Sequence, residues 1–151
     1  MPYIKGAAPI DGCVFCLARD GSDDRAALVL ARGPHAFLIL DAFPYTPGHV
    51  MAVLNRHVGS FLDASAEELS DAMRLAQRAA AALIEEYRAE AFNIGVNQGR
   101  VAGAGIADHL HVHVVPRWSG DHNFMTVLGE ARVLPEDLDA TWQRLQGRVH
   151  D

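Results

Sequence analysis

The segment His109-Leu110-His111-Val112-His113-Val114-Val115 alternates imidazole with aliphatic side chains three times and then meets Pro116. Successive side chains on a strand point to opposite faces and same-face neighbours lie about 7 Å apart. An extended conformation therefore lines up three imidazoles and leaves Leu110, Val112 and Val114 for the other face. Histidine has an ordinary pKa of about 6.5 and serves as nucleophile, acid, base or metal ligand near neutrality. Three in register describe a reactive site rather than packing. They do not describe one metal ion held by all three, because ligands at i, i+2 and i+4 of a single strand span roughly 13 Å.

Two further groups of residues bear chemistry. The stretch from Asn97 to Asp108 carries Gly99, Gly103 and Gly105 immediately before the histidines. Glycines let the backbone approach a ligand and aim N–H groups at phosphate oxygens, although the same composition also makes an ordinary turn. Cys13 and Cys16 are the only cysteines. Their C-x-x-C spacing supplies half of a tetrahedral zinc site that imidazoles can complete, with a redox dithiol or an idle thiol pair as alternatives. The Gly12 and Asp20-Gly21 surroundings do not match the strand-to-helix junction of a thioredoxin-type pair.

The elements that must position these groups follow from pattern. Residues 3–24, rich in Gly, Asp and Ala, read as a loop or knuckle. Residues 27–31 and 36–40 are short apolar runs around the turn signal Arg32-Gly33-Pro34, which predicts a hairpin. A proline-rich connection, Asp41 to Gly48, leads to a third strand over 49–54. Ser65-Ala66-Glu67-Glu68 has the form of a capping box and opens a helix over about 66–89, with Leu69, Met73, Ala76, Ala80, Leu83, Ile84 and Tyr87 on one face. The alanines between Ala79 and Ala82 suit close packing against a sheet. A fourth strand is expected over 92–96, then the glycine-rich connection, the histidine strand, and a final short helix starting near Pro135. Strands, then a helix, then strands again give an α+β fold with a mainly antiparallel sheet and one long and one short helix, in a single domain over residues 1–151. Exposed sheet edges and an alanine-faced helix also suit a symmetric dimer.

Composition narrows the function classes. A formal charge of -6 and 21% charged residues argue against a nucleic-acid scaffold, which shows a basic face, while leaving room for a small anionic ligand held by local N–H groups. The opening Met-Pro-Tyr-Ile-Lys-Gly lacks a basic stretch followed by an apolar core, and no apolar run approaches a membrane span, so a cytoplasmic location with no membrane partner is expected.

The histidine segment resembles the H-φ-H-φ-H-φ-φ signature of the histidine triad (HIT) superfamily of nucleotide hydrolases and transferases. The similarity extends in order over roughly residues 10–130: Cys13-Val-Phe-Cys16, Asp41 with Pro47-Gly48-His49, Arg56-His57-Val58, the loop from Asn97 to Gly105, and Pro116-Arg117-Trp118. This resemblance implies a five-stranded antiparallel sheet with two helices, as a homodimer. It implies that His111 attacks the α-phosphorus of a nucleotide to form a nucleotidyl-histidine intermediate, and that His113 contacts the phosphate being transferred. By the same resemblance, backbone N–H groups near Gly105 and Ile106 hold non-bridging oxygens, Asn97 contacts phosphate and Asp41 receives the ribose hydroxyls. In zinc-bearing bacterial members, structural zinc sits on residues that correspond here to Cys13, Cys16, His57 and His109. His49 is a reserve ligand.

Residues 114–125 and the later Arg132-Val133-Leu134-Pro135 resemble bacterial members that cleave dinucleoside polyphosphates such as diadenosine tetraphosphate, including a phosphorylase branch. Gly105 stands where that branch has a hydroxyl residue, so hydrolysis and phosphorolysis both stay open. Adenosine phosphoramidase activity and nucleotide binding with little catalysis are the remaining readings. Trp118 suits either a nucleobase or the cap of the sheet.

Overall fold

The computed structural model describes residues 12–121 and 136–149. A short helix, α1 (Val14–Asp20), leads into β1 (Val29–Arg32), β2 (Ala36–Leu40) and β3 (Val50–Leu54). The long helix α2 (Ala66–Tyr87), β4 (Ala91–Gly95), β5 (His111–Arg117) and α3 (Leu138–Gln146) follow. All pairings are antiparallel, in the order β1-β2-β3-β5-β4. The expected α+β fold is observed, with a third helix in addition. Among the described residues, no helix is long and apolar enough to cross a membrane.

Both faces of the sheet centre are covered, which explains why β2 and β3 read as continuous apolar runs rather than alternating ones. Leu38, Leu40, Val50, Ala52, Leu54, Val112 and Val114 pack against α2. On the opposite face Phe37, Ile39, Met51 and Val53 meet Phe15 and Ala18 of α1. The rings of His111 and His113 stand on this second face, and Phe15 of α1 lies against that of His111.

Three expectations are corrected. The supposed knuckle contains α1, whose last carbonyls are gathered by one guanidinium: Arg32 donates to the oxygens of Ala18, Arg19 and Gly21 at 3.0, 2.6 and 3.2 Å, a long-range cap that local pattern cannot show. The buried stripe of α2 is Ala72, Leu75, Ala76, Ala79, Ala82 and Leu83, while Met73 and Ile84 are half exposed; alanines let the helix axis come close to the sheet and turn the longer side chains outward. The capping box forms as expected, with Ser65 and Glu68 exchanging bonds of 2.8 and 3.2 Å. Finally, β5 begins at His111, not at His109. The last helix starts at Leu138 with Asp137 as its cap; Pro135, like residues 122–134, lies outside the described residues.

Trp118 donates its indole N–H to the Tyr87 carbonyl at 3.0 Å and packs on the core. Its place is on the sheet and helix, as an amphipathic aromatic.

Candidate functional site

Pairing with β3 sets the triad in place, His113 opposite Met51 and His111 opposite Val53. The two rings share a face, with centroids 4.9 Å apart. His111 is buried, and its Nδ1 lies 2.7 Å from the His109 carbonyl oxygen. A carbonyl only accepts, so the ring proton sits on Nδ1 and the lone pair on Nε2. Nε2 has no hydrogen-bond partner among the described residues. Burial pushes the pKa of His111 below its ordinary value, against the pull of the nearby Asp41 carboxylate. The result is a neutral imidazole with one fixed tautomer and an unengaged nucleophilic nitrogen.

His113 is oriented by a residue that the sequence offered only as a reserve ligand. Nε2 of His49, which is fully buried, lies 3.0 Å from Nδ1 of His113. The Tyr45 backbone N–H donates to His49 Nδ1 at 3.2 Å, which leaves the His49 proton on Nε2, directed at His113. His113 then carries its own proton on Nε2, as a donor. Burial and the neighbouring His111 push its pKa down to about 4. Tyr45 stacks over the pair, 4.7 Å from the His49 ring and 6.2 Å from the His113 ring. Asp41, also buried, accepts the Phe43 N–H at 2.8 Å, and its second oxygen lies 3.3 Å from His49 Nδ1. Its pKa is raised by burial. Asp41, His49 and His113 thus form one compact unit. The sequence signal for His49 is Gly48 before it: Gly48 has φ +79°, and a Cβ there would lie 2.6 Å from Leu83 Cδ2, so only glycine turns the chain at that point.

His109 faces elsewhere. Its Nε2–H donates to the Leu54 carbonyl at 2.7 Å, which leaves Nδ1 as a lone pair. That nitrogen lies 3.3 Å from Cys13 Sγ, 3.6 Å from Cys16 Sγ and 3.3 Å from His57 Nδ1. Cys16 Sγ lies 3.4 Å from His57 Nδ1. Tetrahedral zinc, with bonds of about 2.0 Å to nitrogen and 2.3 Å to sulfur, separates its donors by about 3.3–3.8 Å. A thiol proton satisfies one of these contacts; a cation satisfies all of them. The four residues expected from the sequence therefore come together, and the cluster could hold a metal ion. His57 is placed by the neighbouring Arg56, which binds both oxygens of Glu68 at 2.9 and 2.8 Å. Gly59 permits the approach of the next strand connection: a Cβ there would lie 2.7 Å from the Ala107 carbonyl oxygen.

Phe15, the aromatic between the two cysteines, bridges the two centres. Its ring is 5.4 Å from that of His109 and 5.0 Å from that of His111. Nothing in the spacing of the cysteines predicts this, because the contact depends on how α1 docks.

The glycine-rich connection contains a 3₁₀ turn, Arg100–Ala102. It borders an open cleft of about 1060 Å³ together with Gly12, Cys13, Tyr45 and His57; Gly105 and Ile106 line it, whereas His111 and His113 do not. The N–H groups of Gly105 and Ile106 have no acceptor among the described residues. Asn97 is half-buried, two residues beyond the end of β4.

The chain belongs to the HIT domain family, whose model matches residues 24–120. A Mycobacterium tuberculosis protein named AP-4-A phosphorylase is 42% identical over 118 residues, 78% of this chain and 60% of that protein, so the chain spans about 60% of that relative's length. The crystal structure of a zinc-bound histidine triad family protein from Mycobacterium smegmatis matches with a TM-score of 0.74 at 27% identity, over 91% of this chain and 92% of that one. Plasmodium falciparum diadenosine triphosphate hydrolase matches with a TM-score of 0.67 at 19% identity, over 83% and 76% of the two chains. At that identity the likeness is one of fold.

Proposed function

We propose that this protein is a nucleotidyl-transferring enzyme that cleaves a dinucleoside polyphosphate, such as diadenosine tetraphosphate, at its α-phosphorus. One observation carries the reading: His111 keeps a neutral Nε2 lone pair beside a His113 that the contact with His49 leaves with its proton on Nε2. In the first step Nε2 of His111 bonds to the α-phosphorus, and the bridging bond to the leaving nucleoside polyphosphate breaks. His113 donates a hydrogen bond to the phosphoryl group, while the Gly105 and Ile106 N–H groups and Asn97 bind its oxygens. Asp41 takes the ribose diol. In the second step an acceptor oxygen displaces His111 and restores it.

Zinc on Cys13, Cys16, His57 and His109 supplies structure rather than chemistry, fixing the chain that carries the His109 carbonyl and hence the tautomer of His111. The enzyme is expected to work as a cytoplasmic homodimer on small nucleotides, without nucleic-acid or membrane partners.

Water and inorganic phosphate are both possible acceptors. The 42% identity to a protein named AP-4-A phosphorylase favours phosphate, and Gly105, in place of a hydroxyl residue, favours water. A product assay on diadenosine tetraphosphate decides. ATP with AMP in phosphate-free buffer identifies a hydrolase, and ATP with ADP only when phosphate is present identifies a phosphorylase. No turnover under either condition contradicts the proposal.

A further inference from the structure

Arginines in this protein mostly have acidic partners. Arg56 binds Glu68, Arg117 binds Asp121, and Arg144 binds Glu86 and Glu136. Arg100 differs. It is exposed, its guanidinium has no hydrogen-bond or ion-pair partner among the described residues, and it lines the cleft that Gly105 and Ile106 also line.

Its position is built rather than incidental. Gly99 and Gly103, with φ of +81° and +91°, flank the turn Arg100–Ala102. The Gly99 carbonyl accepts the N–H groups of Ala102 and Ala104, both at 3.2 Å, and the Gly103 N–H returns to Arg100 O at 3.0 Å. Arg100 therefore projects from a closed turn, not from a free loop. Among the described residues it is the only arginine or lysine in the cleft lining, where the other formal charge is the Asp108 carboxylate. In a chain of net charge -6, a polyanion enters this cleft only where a local cation offsets the general repulsion.

We infer that Arg100 reads the length of the phosphate chain. Its guanidinium, on the cleft it shares with Gly105 and Ile106, holds the phosphates beyond the one whose oxygens those two N–H groups bind, and so selects polyphosphate nucleotides over monophosphate esters and amidates. The inference rests on the nucleotidyl-transfer reading and adds a specificity residue to it. Guanidinium suits the task because its planar fork binds two phosphate oxygens at once.

The test measures AMP and ATP binding by calorimetry in a non-turning His111→Asn background. AMP ends at the α-phosphate, whereas ATP extends beyond it. Adding Arg100→Ala is expected to weaken ATP binding about tenfold and to leave AMP binding unchanged, with Arg100→Lys recovering part of the loss. An unchanged ratio of ATP to AMP affinity, with AMP still binding, overturns the role of Arg100 and leaves the nucleotidyl-transfer reading intact. If neither nucleotide binds the parent protein, both are overturned.

Discussion

His49 and His113 meet nitrogen to nitrogen, Nε2 to Nδ1, at 3.0 Å, inside the sheet and under the ring of Tyr45. The contact fixes which face of His113 carries a proton. With the Tyr45 amide donating to His49 Nδ1, His49 donates through Nε2 to His113; a His49 charged beside Asp41, whose oxygen is 3.3 Å from Nδ1, donates in the same direction. Replacing His49 with Phe keeps a ring in the space and removes the donor. Turnover should fall about a hundredfold, the scale of a lost proton-positioning group, with KM little changed. Nitrogen chemical shifts of His113 should show the second tautomer appearing. Unchanged shifts with unchanged turnover would show that the contact is only packing.

His113 should stay neutral far below the usual range of histidine. It faces His49, His111 and the Tyr45 ring, with Asp41 behind His49, and burial holds its pKa at about 4. Below about 6.5 the unfolded chain takes up a proton that the folded chain refuses, so stability falls as pH drops from 6.5 toward 4 and this contribution then levels off. Proton NMR should place the midpoint of His113 near 4, and His113→Asn should show a shallower loss of stability over that interval. A midpoint near 6.5 contradicts the burial argument.

Metal removal should loosen α1. Cys13 and Cys16 flank Phe15, and Arg32 ties down the other end of the helix. Free zinc a thousandfold above its Kd stabilises the folded state by about 4 kcal/mol, which is roughly 10 °C in Tm for a chain of this size. Protein purified without chelator should hold one zinc per chain, and Cys16→Ser should lose both the metal and the thermal increment. A metal-free protein of the same Tm contradicts the assignment.

Phe15→Ala should uncouple the two centres. Phe15 is 3% exposed, and removing a buried phenyl ring costs about 3–5 kcal/mol. Because the ring touches both His109 and His111, zinc affinity and turnover should fall together. Restoration by Phe15→Leu of stability but not turnover would locate its contribution in the alignment of His111.

Much of this site was legible because the chemistry is local in sequence. The His111/His113 pair follows from two-residue strand periodicity, and Cys13-x-x-Cys16 from ligand spacing. The capping box at Ser65 predicts the start of α2 because both partners lie within one turn. What the sequence withheld depends on tertiary contact. Local composition around the cysteines reads as a loop, since the Arg32 cap of α1 comes from the following strand. The row of three equivalent imidazoles breaks because Leu54 and the Cys13/Cys16 pair draw His109 aside. His49 reads as the first residue of the third strand and a reserve ligand, and only the register of β3 and β5 sets it beside His113.

The central claim is that His111 Nε2 forms the bond to phosphorus. Rapid mixing with a substrate labelled at the α-phosphate, followed by a quench that preserves phosphoramidates, measures this directly. The wild-type protein should show a burst of covalently labelled chain mapping to His111, with His111→Asn folded, unlabelled and inactive. Full turnover by that variant, or label on His113 instead, contradicts the account.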